Sequence, residues 1–158
     1  MRLNNGKGNN SERDEWETPQ KLWDKLDKQY KFTTDCCASK ENTKCKDWTN
    51  NFLAYSEKEG SHIHWMNPPF SIAGTMFAHF FQNIKKGVAI YRCDNFETGI
   101  WQEIIFPWAD WIFIPNKRTE YKGLSNKWDR PVFASALIGV GVEHPKELEG
   151  TVLLISGE

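Results

Sequence analysis

The segment Trp65-Met66-Asn67-Pro68-Pro69-Phe70-Ser71 concentrates reactive potential in a few residues. Two consecutive prolines fix φ and remove two N–H donors, so the turn is stiff and its carbonyls point outward. An amide side chain, rigid carbonyl acceptors and an aromatic ring are then presented together by Asn67, Pro68, Pro69 and Phe70. Such a set suits an exocyclic aromatic amine, a poor nucleophile because its lone pair is delocalised into the ring. Two acceptors, the Asn67 side-chain oxygen and the Pro68 carbonyl, would take both amine hydrogens. Those bonds favour a tetrahedral nitrogen as positive charge develops, so they strengthen in the transition state. Phe70 would stack on the ring that carries the amine. No general base is needed beforehand, since the proton can leave after transfer. Taken alone, the tetrapeptide fits a Pro-Pro turn without chemistry equally well.

Presenting that set requires a strand that stops near residue 66 and a helix soon after it. Residues 62–66 form a strand candidate, halted by Pro68 and Pro69, neither of which can donate to a ladder. Helical spacing follows over 75–84, with Met76, Phe77, Phe80, Phe81 and Ile84 on one side. Upstream, Leu22, Trp23, Leu26 and Tyr30 predict another helix, with Thr18 as its N-cap and Pro19 at its first position. Residues 32–37 read as a short strand ending in a polar turn, whereas 40–60 are polar and irregular, with no convincing second strand. Further strands are expected over 88–92, 110–115, 133–142 and 151–155, with a short helix over 99–106. This order of elements implies an α/β domain with an antiparallel hairpin at its end. Open α/β sheets bind ligands beyond the carboxyl ends of their strands, which is where Asn67 to Phe70 fall.

A chain of 158 residues fits one domain. Residues 1–13 are nearly free of apolar side chains and are expected to form a flexible arm, leaving 14–158 as the single domain. The 8 Trp, 10 Phe and 4 Tyr can fill a core despite a modest aliphatic content, or stack on flat ligands in a cleft. A net charge of −1 lacks the basic excess usual in proteins that bind nucleic acid electrostatically. A local exception is 115–130, where Lys117, Arg118, Lys122, Lys127 and Arg130 face only Glu120 and Asp129. Cys36, Cys37, Cys45 and Cys93 match neither a paired zinc motif nor a disulfide framework. His62 and His64 could join them around a metal only through the tertiary fold, so reduced thiols and no metal are expected. The start lacks an apolar signal core, and no stretch approaches a membrane span, so a cytoplasmic protein is expected.

The same residues carry a family resemblance. Asn67-Pro68-Pro69-Phe70 is similar to the [DNS]-P-P-[YFW] motif of amino-group methyltransferases. The chain as a whole resembles the phage and prophage DNA N6-adenine methyltransferase (Dam-type) family, which shows W-x-T-P, then D-x-C-A-S-x-E-N, then N-P-P-[YF]-S. All three occur in order, as Trp16-Glu17-Thr18-Pro19, as Asp35-Cys36-Cys37-Ala38-Ser39-Lys40-Glu41-Asn42, and as Asn67 to Ser71. The family's Arg-x-[DT] strand end is similar to Arg92-Cys93-Asp94, followed by Trp101, and its Pro-x-x-[SA] strand to Pro131–Ser135. The match spans most of residues 14–141 and is far more specific than any one motif.

The resemblance implies a minimal Rossmann-like class I methyltransferase fold, mostly parallel with a C-terminal antiparallel hairpin. It also implies transfer of methyl from S-adenosyl-L-methionine to N6 of a flipped adenine in DNA, in the cytoplasm of a bacterial host, by a monomer or homodimer. Thr18 and Pro19, with Trp16, would cradle the methionine end of the cofactor. Asp35 would hold its ammonium directly or through water, with Cys36, Ala38 and Asn42 alongside. Ser71, Arg92, Asp94, Lys117, Arg118 and Tyr121 are the implied substrate contacts.

The chain departs from the family pattern at two places. Asn50-Asn51-Phe52-Leu53 stands where members often have an acidic residue before Gly-Leu, and Asn116 to Tyr121 matches the Gly-Arg-x-x-Phe element weakly. Like the family, it has no G-x-G-x-x-G. A glutamine side-chain methyltransferase would carry a glycine-rich first motif and a longer N-terminal domain, and a C5-cytosine enzyme a Pro-Cys nucleophile; neither pattern occurs. An N4-cytosine methyltransferase, or a binding protein that kept the fold and lost turnover, remain the alternatives.

Overall fold

The computed structural model describes residues 17–57, 60–117, 121–122, 128–129 and 134–155. The expected N-terminal arm, Trp16, Arg118 and 131–133 lie outside them. Helix α1, Gln20–Tyr30, turns Trp23, Leu26 and Tyr30 inward. It ends where Lys31 takes a left-handed conformation (φ 55°) and its N–H reaches the Asp27 carbonyl at 2.8 Å. Four short strands and turns follow: β1 (Thr34–Asp35), β2 (Asp47–Trp48), a 3₁₀ turn over Phe52–Ala54, and β3 (His64–Met66). Helix α2, Ala73–Asn83, leads to β4 (Gly87–Arg92). A wide π-helix over Ile100–Ile105 passes into one α-turn, Phe106–Trp108, where Pro107 cannot donate to the ladder. Then come β5 (Trp111–Pro115), β6 (Tyr121–Lys122), β7 (Trp128–Asp129), β8 (Ser135–Val140) and β9 (Gly150–Leu154).

Among the described residues the main sheet has seven strands in the order β2-β1-β3-β4-β8-β5-β9, and β6 and β7 pair separately. β2, β1, β3 and β4 run parallel to one another. β8 runs antiparallel to both β4 and β5, and β9 is antiparallel to β5. The sheet is therefore mixed, not mostly parallel as the family resemblance implied. Nor do the last two strands form a hairpin: β8 inserts between β4 and β5, and β9 takes the edge beyond β5. Burial accounts for this placement. β8 is buried along five of its six residues, as an interior strand must be, whereas β9 is mostly exposed.

Alternation along the strands builds two hydrophobic layers. Trp65, Val88, Ile90, Trp111, Phe113 and Leu137 pack under α1 with Trp23, Leu26 and Tyr30. Met66, Ala89, Tyr91, Ile112, Ala136 and Ile138 pack on the opposite face against α2 and the π-helix, through Phe77, Phe80, Trp101 and Ile105. Because β4 and β5 both oppose β8, they point the same way, as do β1 and β3. The carboxyl ends of β1, β3, β4 and β5 thus share one edge of the sheet, and the 116–134 connection leaves and returns there. No helix of the described residues is long and apolar enough to cross a membrane.

Candidate active site

A cleft of about 350 Å³ opens where β1 and β3 end. Its walls come from three connections: Cys36, Cys37, Ala38, Ser39 and Asn42 after β1; Asn50, Asn51, Phe52 and Leu53 after β2; and Asn67, Pro69 and Ile72 after β3, with Met76 of α2 beneath. No side chain in this lining is a carboxylate, a histidine or a basic group; amides, one hydroxyl, two thiols and apolar groups make it up.

Asn67 follows the last residue of β3, and the two prolines then turn the chain into a 3₁₀ turn, Phe70–Ile72. That turn closes when the Ile72 N–H reaches the carbonyl of Pro69, not that of Pro68, at 3.2 Å. Asn67 Nδ2 donates to Thr18 Oγ1 at 3.1 Å. Thr18 is buried, so this bond anchors the Asn67 amide to the segment that leads into α1. Thr18 therefore does not cap α1 as its position suggested: Pro19 occupies the N-cap without a side-chain bond, and the hydroxyl serves Asn67 instead. The Trp-Glu-Thr-Pro and Asn-Pro-Pro-Phe segments meet through this pair.

Asp35 ends β1 as expected and is not among the residues that line the cleft. Its carboxylate is 4% exposed and accepts from the backbone N–H of Cys37 at 3.3 Å and of Lys44 at 3.2 Å. It thereby braces the 36–45 loop that forms one wall. Burial pushes its pKa up to about 6, with the Lys44 and Cys37 N–H bonds and the Lys44 charge pulling the other way. Asn42 closes the same loop, its Oδ1 accepting from the Ser39 N–H at 2.7 Å. Burial holds the Cys36 and Cys37 thiols well above the usual thiol range, with the Asp35 charge adding to it, so both stay protonated. All four cysteines are free, and no group of three metal-ligating side chains occurs among the described residues.

The remaining expected residues are spread along the same sheet edge. Phe70 is half-buried, its ring 6.1 Å from that of Tyr91 and packed on the core, outside the cleft lining. Ser71 is exposed. Arg92, the last residue of β4, grips Asp94 through two bonds of 2.8 Å, a fork that joins two expected substrate contacts to each other. The indole N–H of buried Trp101 reaches the Arg92 carbonyl at 3.0 Å and fixes that strand end. Lys117 is exposed just past β5, and Tyr121 begins β6. The cleft lining also includes Ser39, the 50–53 wall, Ile72 and Met76, none of which is among the site residues expected from the sequence. The departure from the family pattern at 50–53 is the signal that points there.

Residues 5–126 match the family described as DNA N-6-adenine-methyltransferase (Dam). No curated protein matches the sequence.

Proposed function

We propose, because this chain belongs to the DNA N-6-adenine-methyltransferase (Dam) family, that it transfers methyl from S-adenosyl-L-methionine to N6 of a flipped adenine in DNA, with Asn67, Pro68 and Phe70 holding the base. The observation that carries the proposal is the placement of Asn67 in the cleft lining at the end of β3, its amide bonded to buried Thr18. With its amide anchored on Thr18, Asn67 would offer Oδ1 as the acceptor for the adenine amine.

The cleft suits the cofactor on its own chemistry. Neutral amides and a hydroxyl from Ser39, Asn42, Asn50 and Asn51 match a hydroxylated sugar, and Phe52, Leu53, Ile72 and Met76 match a flat ring. The carboxylate of Asp35, which anchors the loop that forms one wall, would add a negative charge near the cleft that favours an ammonium group. When bound, the cofactor supplies an electrophilic methyl group. The protein's part is to hold two amine hydrogens on the Asn67 oxygen and the Pro68 carbonyl, which favours the pyramidal nitrogen that attacks. The surplus proton then leaves from that nitrogen to solvent. Site placement at the carboxyl edge of parallel β1, β3 and β4 supports a Rossmann-like reading of the fold.

Incubation with cofactor and DNA, digestion to nucleosides and mass spectrometry test the proposal. N6-methyldeoxyadenosine is expected, with no 5-methyldeoxycytidine. N4-methyldeoxycytidine would keep the acceptor chemistry and change the base, whereas unmethylated DNA beside methylated protein would overturn the reading.

A further inference from the structure

We infer that Tyr55, pinned by His64 and His79, is a positioning residue that sets the 50–53 wall of the cleft and thereby tunes affinity for the cofactor. The inference rests on the reading of that cleft as the cofactor site. The wall has little to hold it in place by itself. It is a single 3₁₀ turn, Phe52–Ala54, in an irregular connection, and Asn50, Asn51 and Leu53 are all exposed. What fixes it lies directly behind.

Tyr55 ends the turn, its N–H bonded to the Phe52 carbonyl at 2.9 Å and its ring stacked on Phe52 at 6.1 Å. Two histidines from different elements then hold Tyr55. From α2, His79 Nε2 lies 2.7 Å from the Tyr55 carbonyl, and the His79 ring meets Phe52 edge-on at 4.8 Å. Asn83 Nδ2 lies 3.1 Å from His79 Nδ1, which makes Nδ1 the acceptor and Nε2–H the donor to Tyr55. From β3, fully buried His64 places Nε2 2.8 Å from the Tyr55 hydroxyl, while its Nδ1 faces the Lys86 carbonyl at 3.3 Å. The hydroxyl therefore donates to Nε2. Carbonyl and hydroxyl of one tyrosine tie the wall to α2 and to the sheet at once, and none of these three side chains lines the cleft.

Steady-state kinetics on duplex DNA, with S-adenosyl-L-methionine varied, separate positioning from mere stability. Tyr55→Phe is expected to raise KM for the cofactor roughly five- to tenfold with kcat within about twofold, the scale of one buried hydrogen bond removed. His79→Leu should do the same, and His79→Gln, which keeps a donor for the Tyr55 carbonyl, should recover most of the loss. Tyr30→Phe is the control. It removes an equally short hydroxyl bond, 2.6 Å to the Glu143 carbonyl, under the opposite face of the sheet. It should lower Tm and leave KM unchanged. Unchanged KM in both Tyr55→Phe and His79→Leu, or an equal rise in Tyr30→Phe, would overturn the inference. Should Tyr55→Phe not fold, the His79 pair decides by the same criterion. Calorimetry on the wild-type chain distinguishes the two failures: no binding of the cofactor sinks the reading of the cleft and this inference with it, whereas normal binding with unmoved KM values sinks the inference alone.

Discussion

Asn67 and Asp35 show how two polar residues near one cleft carry different burdens. Asn67 lines the cleft, and its amide is anchored by a bond to Thr18. Asn67→Ala should therefore leave cofactor affinity within a few-fold while lowering kcat by about 10²-fold or more, the scale of losing a transition-state hydrogen bond. Single-turnover methylation beside calorimetric titration checks both halves, and near-normal turnover would remove Asn67 from the chemistry. Asp35 is ionised against its surroundings, with its pKa raised to about 6 by burial. A carboxylate whose folded pKa exceeds its unfolded one binds protons more readily in the native state, so stability rises as pH falls through that range. His64 acts oppositely, because burial lowers its pKa and the fold loses stability as it protonates. Comparison of wild type with Asp35→Asn cancels the histidine. The stability difference should move by about 2–3 kcal/mol in favour of wild type between pH 8 and pH 4, mostly below pH 7. Urea unfolding at several pH values reads this, and a flat difference would mean that Asp35 titrates normally.

At the scale of elements, the antiparallel half of the sheet depends on one close approach. Gly139 of β8 pairs across from Trp111 of β5, and a Cβ there would lie 2.0 Å from the indole ring. The indole cannot swing aside freely, since its N–H donates to the Val142 carbonyl at 2.7 Å. Gly139→Ala should destabilise the fold by about 1–3 kcal/mol or more, as overpacked cores do. Thermal or urea unfolding measures it, and a change below about 0.5 kcal/mol would show that the Trp111 ring yields easily. Helices α1 and α2 are readable from the sequence because Trp23, Leu26 and Tyr30, and Met76, Phe77 and Phe80, recur at helical spacing. β2 is not, because Asp47 and Trp48 are both exposed and leave no alternating pattern. Thr18 misleads for a related reason: a threonine before a helix fits a cap locally, and only a partner 49 residues away reveals its other use.

The whole molecule has a net charge of −1, so DNA affinity must come from a local concentration of cations. The 115–130 segment holds five cations against two acids, and its connection springs from the sheet edge that bears Asn67 and Arg92. Lys117 is exposed at the start of that connection. Lys117→Glu should weaken DNA binding and flatten its dependence on salt, by about one unit of slope for each phosphate no longer neutralised. KM for the cofactor should not change. Fluorescence anisotropy across a salt series checks this, and an unaltered slope would place the DNA elsewhere.

Sequence alone determined the family, the two amphipathic helices, the Asn-Pro-Pro-Phe turn at the end of a strand, and the α/β class. Each of these is written locally, in the spacing of apolar residues, in proline's fixed φ and missing N–H, or in an ordered set of short motifs. The tertiary structure alone decided the mixed sheet, the insertion of β8 between β4 and β5, the Thr18–Asn67 bond and the histidine-held wall at 50–53. An apolar run such as 135–140 states that it is buried but not which strand it joins or in which direction. The pairing brings Gly139 beneath the Trp111 indole, a contact between residues far apart in the chain. Asp35 shows the same division: its place at the end of β1 was legible, but the backbone N–H groups that claim its oxygens come from a loop whose path only folding sets.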